Sequence, residues 1–528
     1  MFRILVADRL GQAGLDRLEA ADDIAFDVRI GSDKAALRAI IGEYDALMVR
    51  SKTTVDADLL AAASRLKVVG RAGVGVDNID VRAATQRGVI VMNTPQANSV
   101  ATAEQAMALM LAASRHTAQS HASVKGGKWK RSAFTGVQLY RKRLGLVGFG
   151  RIARLVATRA QAFGMEVMAC DPYVSEEVGQ EHGVTLVDLD DLLEQADYIS
   201  LHASMSAETE HLINAQTLSR VKDGVILINT ARGELVDEQA LAAALKAGKV
   251  RAFGTDVYAE EPPTSSHPLL GLANVVHTPH LGASTLEAQR DVAIQIVDQV
   301  LDALRGRDFR NSINMPFPAG PDYATVLPYM ELATKIGALQ FHMAPAPIRR
   351  VEVELRGEAV EGLARPVAAA LLKGLLEGFL ADAVNYVSAP VLAEQHGIAI
   401  SQSKGVSAAD YSNLISCRAH WDEGSRVIAG VLFGGREPRI VQISRYHLDA
   451  DPRGPLLIML NKDVPGVIGQ VGTMLGAYEV NIGEWRMGRN EPGEEALSFI
   501  NLDSEPPPAA LDALAKVPAI TKLKFLNL

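Results

Sequence analysis

The stretch RLGLVGFGRIA, residues 143–153, decides how the chain is read. Residues 143–147 form an apolar run of strand length, Gly148-Phe149-Gly150 supply a turn, and Arg151 opens a helical pattern reaching Phe163. Gly148 permits the tight turn, Gly150 lets the backbone approach a pyrophosphate, and the small Ala153 allows close packing of helix on strand. The exposed N–H groups and dipole at such a helix start hold negative charge. A second strand, EVMAC (166–170), ends at Asp171, eighteen positions beyond Ala153, where a carboxylate accepts hydrogen bonds from an adenosine ribose. No arginine follows to favour a 2′-phosphate, so the pattern predicts NAD as cofactor in preference to NADP. Asp171 capping a turn before Pro172 is the plainer alternative.

Outward from this centre, short strand-like runs alternate with Ala/Leu-rich helical stretches over the first three hundred residues. The runs are 4–7, 46–49, 67–70, 89–92, 143–148, 166–170, 198–202 and 225–229, with helical patterns such as 56–64 and 101–116 between them. This alternation predicts an α/β architecture of parallel, doubly wound sheets with helices on both faces. A helical run ending near Arg307 precedes the Pro-rich segment 311–321, read as a domain linker. Beyond it, helices at 327–342 and 363–385 precede two strands around a turn at Gly434-Gly435. After a break at 451–455 comes strand 456–461, helix 465–478, strand 480–488, strand 496–502, helix 507–516 and strand 520–526. That order, βαββαβ, is ferredoxin-like.

Composition excludes several classes. The chain has 528 residues and a net charge of −9, against the clustered basic surface that nucleic-acid binding needs. At 48% hydrophobic and 22% charged it has apolar material for several cores. Its two cysteines, Cys170 and Cys417, are far apart, which argues against a disulfide framework or a structural zinc site. The opening MFRILVADRL reads as a strand rather than a signal peptide, and the apolar stretch 371–384 is broken by Lys373, Glu377 and Asp382. A cytoplasmic protein is expected.

Three further segments end strands of the same sheet: INTARGELVD (228–237), GTDVYAEEPP (254–263) and HTPHLGAS (277–284). They supply Arg232, Glu261 and His280: a cation, a carboxylate and an imidazole. Oxidising an alcohol requires a base for the hydroxyl proton, and histidine titrates near neutrality. Glu261 beside it would stabilise the imidazolium, and Arg232 could bind a carboxylate bidentately and polarise the adjacent oxygen.

The blocks NTARG, DVxxxEPP and PHLGAS resemble the signatures of the D-isomer-specific 2-hydroxyacid dehydrogenases. VRSKTTV (49–55), GRAGVGVDNID (70–80) and MNTPQANSVATAEQAMALML (92–111) narrow the resemblance to that family's long-form phosphoglycerate dehydrogenases. The resemblance implies NAD-dependent oxidation of 3-phospho-D-glycerate to 3-phosphohydroxypyruvate, the first step of L-serine biosynthesis, by a homotetramer. It also implies a discontinuous substrate domain (1–98 and 283–315), a nucleotide domain (99–282), an intervening domain (318–452) and an ACT domain (455–528). Arg232, Glu261 and His280 match the catalytic positions. Val74, Gly148, Gly150, Arg151, Ile152, Asp171, Ala203, Thr230, Ala231, Asp256, Gly282 and Ala283, with Arg232 and His280, match cofactor positions. Two departures stand out: Ala153 replaces a third glycine, and LHASMS lacks a customary proline.

A phosphorylated acid carries charge at both ends and needs a second cationic pole beside Arg232. Arg50 with Ser51, and Arg71 with Gly73, follow apolar strands and are the candidates, with Asn98 and Ser99 as neutral partners. In the ACT-like segment, Asn461, Asp463, Gly466 and Asn481 match positions that would hold L-serine as feedback inhibitor. The alternatives are an NADH-dependent reductase of an unphosphorylated 2-oxo acid (hydroxypyruvate or 2-oxoglutarate) and an NAD-sensing scaffold.

Overall fold

The computed structural model describes residues 1–316, 323–380, 384–405 and 411–528. The later part of the expected linker, residues 317–321, lies outside the described residues. The first sheet holds β1 (Phe2–Val6), β2 (Ile24–Val28), β3 (Ala46–Val49), β4 (Val68–Arg71) and β5 (Ile90–Met92), all parallel, in the order β2-β1-β3-β4-β5. Its strands are apolar on both faces because helices cover both. One cover is the helix Leu286–Leu304, whose Val292, Ile296, Val297 and Val300 are buried against β1, β3 and β4. Gly70 in β4 admits it: a Cβ there would lie 2.6 Å from Val300 Cγ2.

The second sheet is also parallel: β6 (Arg143–Val147), β7 (Glu166–Cys170), β8 (Thr185–Leu186), β9 (Tyr198–Leu201), β10 (Val225–Asn229), β11 (Val250–Thr255) and β12 (Val275–His277), in the order β12-β11-β10-β9-β6-β7-β8. The chain reverses direction between β6 and β9, the switch point where such sheets bind ligands. The register sets the site. Cys170 pairs with Val147, Val147 with Leu201, Leu201 with Asn229, Asn229 with Thr255 and Thr255 with His277. Asp171, Gly148, His202, Thr230, Asp256 and Thr278 therefore emerge in one row along the sheet's carboxyl edge. The helix Arg151–Ala162 buries Ala153, Val156, Ala157 and Ala160 at helical spacing, with Ala153 completely covered.

After the linker, a six-stranded mixed sheet packs against the helices Tyr323–Met343 and Ala364–Leu380. The expected hairpin is present as Gly424–Phe433 and Glu437–Ile443, with both turn glycines at positive φ. The helix expected over 363–385 is shorter: Ala364–Leu380 is helical, and Asn385 lies in a turn, its side-chain oxygen accepting from the N–H groups of Val387 and Ser388. The last unit has the βαββαβ order, with an antiparallel sheet ordered Ile482–Arg489, Glu495–Leu502, Pro455–Lys462, Ile520–Asn527. No helix among the described residues is long and apolar enough to cross a membrane.

Candidate active site

The loops at the carboxyl edges of both parallel sheets bring Arg232, Glu261 and His280 together with Arg50 and Arg71. His280 Nδ1 lies 2.7 Å from Glu261 Oε2. A carboxylate only accepts, so Nδ1 carries the shared proton and Nε2 is left as the basic nitrogen. The hydrogen bond and charge of Glu261 raise the imidazole above its ordinary value, against the opposing effect of burial. Burial raises the Glu261 carboxyl, but His280, the Tyr258 N–H and Arg232 outweigh it and hold it below the usual range.

His280 adopts a left-handed conformation, φ 55, which is uncommon outside glycine. Asp256 holds it there. The His280 N–H donates to the Asp256 carbonyl at 2.8 Å, and the buried Asp256 carboxylate accepts from Leu281 N–H (2.7 Å), Gly282 N–H (2.7 Å) and the Thr278 hydroxyl (2.5 Å). Asp256, expected from resemblance only as a cofactor contact, thus also shapes the turn that carries His280. Gly233 fixes the spacing to the next loop, because a Cβ there would lie 1.9 Å from the Tyr258 carbonyl carbon.

Arg232 reaches across the cleft to Asp77, with Nε and Nη2 each 3.2 Å from Oδ2, while Nη1 donates to the Ala231 carbonyl at 2.7 Å. Asp77 presents to Arg232 the same group that a 2-hydroxy acid would bring. Gly75 makes room, since a Cβ would sit 2.0 Å from Arg232 Nη2. Burial and the nearby charges of Arg232 and Arg50 push the Arg71 guanidinium down to about 10, with Asp77 and Asp8 opposing. Arg71 Nε donates to Asn78 Oδ1 at 3.3 Å, and Asp8 grips the turn after β3 through the N–H groups of Arg50 (2.6 Å) and Thr53 (3.2 Å). Ser51 lies exposed on that turn. Arg50 also lines a crevice with Arg9, Gly73, Ala283 and Gln289. Three guanidinium groups crowd one cleft, an arrangement that an anion relieves.

The cofactor positions fit a dinucleotide on three observations. Gly150 has an ordinary φ of −74 and nothing within 4 Å of a Cβ position, so the open space above the helix start, not the local fold, is what a side chain would fill. The N–H groups of Arg151, Ile152 and Ala153 begin the helix without intrahelical acceptors. The Thr230 hydroxyl and Asn98 Oδ1 are buried with no hydrogen-bond partner. Gly148, at φ 87, packs against the backbone of His202 and Ala203. Asp171 accepts from Phe149 N–H (2.8 Å) and Tyr173 N–H (2.9 Å), so it pins the glycine turn. Each oxygen keeps a lone pair for a hydroxyl. Val74 offers its carbonyl to Asn93 Nδ2 at 2.5 Å.

The side chains assigned to serine are held by internal hydrogen bonds. Asn461 is a strand residue, 2% exposed, accepting from the Ser498 hydroxyl at 2.9 Å and donating to the Lys462 carbonyl at 3.1 Å. It faces inward near the end of the strand expected over 456–461, which runs on to Lys462. Asp463 Oδ2 is held by Arg489 Nη1 at 3.0 Å, and Asn481 Nδ2 donates to Asp503 at 2.6 Å. Gly466 caps the helix Val467–Ala477 with open space around it.

With this geometry in place, likenesses to known proteins place the chain. A profile of the D-isomer specific 2-hydroxyacid dehydrogenase NAD binding domain matches residues 107–282, so the class is that of NAD-dependent dehydrogenases. A profile of the D-3-phosphoglycerate dehydrogenase intervening domain matches residues 325–444. The D-3-phosphoglycerate dehydrogenase of Archaeoglobus fulgidus is 41% identical over the whole of both chains, and that of Bacillus subtilis 38% identical over the whole of both. A D-lactate dehydrogenase structure from Aquifex aeolicus, complexed with NAD and lactic acid, is 28% identical and superposes with a TM-score of 0.54, covering 60% of this chain and all of the other. The chain belongs to the D-3-phosphoglycerate dehydrogenase family.

Proposed function

We propose that the chain oxidises the C2 hydroxyl of 3-phospho-D-glycerate to 3-phosphohydroxypyruvate, opening L-serine synthesis in the cytoplasm. The observation that carries the substrate is the crowding of Arg50, Arg71 and Arg232 in one cleft. Arg232 binds the carboxylate and the C2 oxygen, exchanging Asp77 for substrate. Arg50 and Arg71 bind the phosphate. Neutral His280 takes the hydroxyl proton at Nε2, and Glu261 stabilises the imidazolium that results. The Gly148–Ile152 turn, Asp171, Thr230 and Asp256 would hold NAD, which when bound would supply the acceptor for the C2 hydride.

In this reading residues 1–98 and 283–315 form the substrate domain, 99–282 the nucleotide domain, 318–452 the intervening domain and 455–528 the ACT domain. L-serine, bound at the helix start after Gly466 beside Asp463 and Asn481, acts as inhibitor of a homotetramer. Support comes from the open space around Gly466 and the family's shared length. The test is cofactor reduction with 3-phospho-D-glycerate and with D-glycerate, each with and without serine. The reading predicts turnover strongly favouring the phosphorylated acid and depressed by serine. Equal turnover of both acids would favour the 2-oxo acid reductase alternative.

A further inference from the structure

Behind Glu261 lies a side-chain network with no part in the steps above. The Tyr258 N–H donates to Glu261 Oε1 at 3.1 Å, and the Tyr258 hydroxyl lies 2.7 Å from His277 Nδ1. The Tyr258 ring packs edge-on against His267, centroids 5.4 Å apart, and roughly parallel to His277 at 6.2 Å. His267 Nε2 in turn lies 2.7 Å from Glu238 Oε2, and Glu238 Oε1 accepts from the Ala259 N–H at 3.3 Å. The turn carrying Glu261 is therefore tied to β12 and to the helix Glu238–Lys246 at once.

We propose that Tyr258 is a positioning residue for the Glu261–His280 pair, its hydroxyl on His277 locking the turn whose N–H holds Glu261 in place. The proposal rests on the reading of His280 as general base.

Geometry makes the hydrogen bonds decisive. Glu261 and His280 border a cavity of about 410 Å³ shared with Tyr258, His277 and Pro262, so packing does not confine the carboxylate on that side. Its hydrogen bonds are to His280 and the Tyr258 N–H, with the charge of Arg232 nearby. Burial and the charges of Glu238, Asp256 and Glu261 push the Tyr258 phenol up to about 12, so it stays protonated. Burial and His267 lower His277, so its ring stays neutral and pairs with the phenol through Nδ1. The charged and titratable groups facing the catalytic pair are Arg232 from the neighbouring loop, Asp256 beneath the His280 turn, Glu238 from its helix, and His267 and His277 beyond Tyr258.

Tyr258→Phe keeps the ring and removes the lock. The full-length enzyme should then lose about ten- to a hundredfold in kcat, the scale of a misplaced catalytic group, with little change in either KM. The acid limb of kcat/KM for oxidation should move to lower pH, in the same direction as in Glu261→Gln, because a loosened carboxylate stabilises the imidazolium less. Added to Glu261→Gln, Tyr258→Phe should cost less than about twofold more, since both act through one contact. His277→Phe should reproduce the effect, and His277→Gln, whose amide oxygen can accept from the phenol, should restore much of it. The position of the pH limb is independent of the fraction of enzyme folded, so partial instability does not blur the result. An unmoved limb in Tyr258→Phe, or full additivity with Glu261→Gln, overturns the proposal. An unmoved limb in Glu261→Gln itself overturns the general-base assignment, and the role of Tyr258 with it.

Discussion

Replacing Arg71 by lysine tests the crowded cation cleft through its own electrostatics. Burial and the charges of Arg232 and Arg50 bring the Arg71 guanidinium from its ordinary 12.5 to about 10, where it is still protonated at neutral pH. The same burial and neighbouring charges acting on an ammonium, ordinarily about 10.4, would lower it toward the assay range. Arg71→Lys should therefore lose its charge at lower pH than a free lysine, while Arg71 itself stays charged. A charge-assisted contact to phosphate contributes about 1.5–3 kcal/mol, so its loss should cost about ten- to a hundredfold in kcat/KM. The assay is kcat/KM for 3-phospho-D-glycerate from pH 7 to 9.5, taken as the ratio of variant to wild type, which cancels the titration of His280. Because kcat/KM reports the free enzyme, the substrate phosphate does not mask the shift. The ratio should fall as pH rises across the range, whereas Arg71→Ala should be low throughout. A ratio constant with pH would refute the placement of Arg71 beside two other guanidinium groups.

His280→Ala should leave NAD affinity nearly unchanged, by cofactor titration, and lower kcat by about 10²–10⁴, the range for a general base. Asp171→Ala should weaken NAD and improve relative use of NADP; because Asp171 also holds the Phe149 N–H, some loss with both cofactors is expected, and an unchanged NAD/NADP ratio would show another residue governs the choice. Asp256→Ala strips acceptors from two N–H groups and a hydroxyl, each worth about 1–3 kcal/mol when left unsatisfied. Its melting temperature and kcat should fall together, and an unaltered kcat would mean that the His280 turn holds without it.

The nucleotide-binding half was legible because its strands are short, apolar on both faces and punctuated by glycine, and because parallel register carries each strand-end residue to one edge. Strands of two or three residues such as Thr185–Leu186 and Val275–His277 offer too little periodicity to be recognised alone. Asp77, Asp8, Arg9 and Gln289 went unread for a different reason. They reach the cleft from elements distant in sequence, Asp77 being 155 positions from its partner Arg232, and only docking of the two sheets brings them there. Tyr258 sat inside a quoted motif, but its value lies in a backbone N–H and a contact to His277, which residue type does not disclose. Asn461 falls at the end of the strand expected over 456–461, but its buried partner Ser498 comes from a neighbouring strand, which local sequence does not disclose.

The most direct measurement is the ratio of kcat/KM for 3-phospho-D-glycerate to that for D-glycerate, in the wild type and in Arg50→Ala and Arg71→Ala. Phosphate is remote from the reacting carbon, so its contacts should act mainly through KM and set this ratio. Arg232→Ala, by contrast, should lower kcat for both acids, since its contact with the C2 oxygen changes as the bond order changes. The account predicts a large wild-type ratio that drops about ten- to a hundredfold in each phosphate-pole variant and persists in Arg232→Ala. A ratio unchanged in both Arg50→Ala and Arg71→Ala would contradict it.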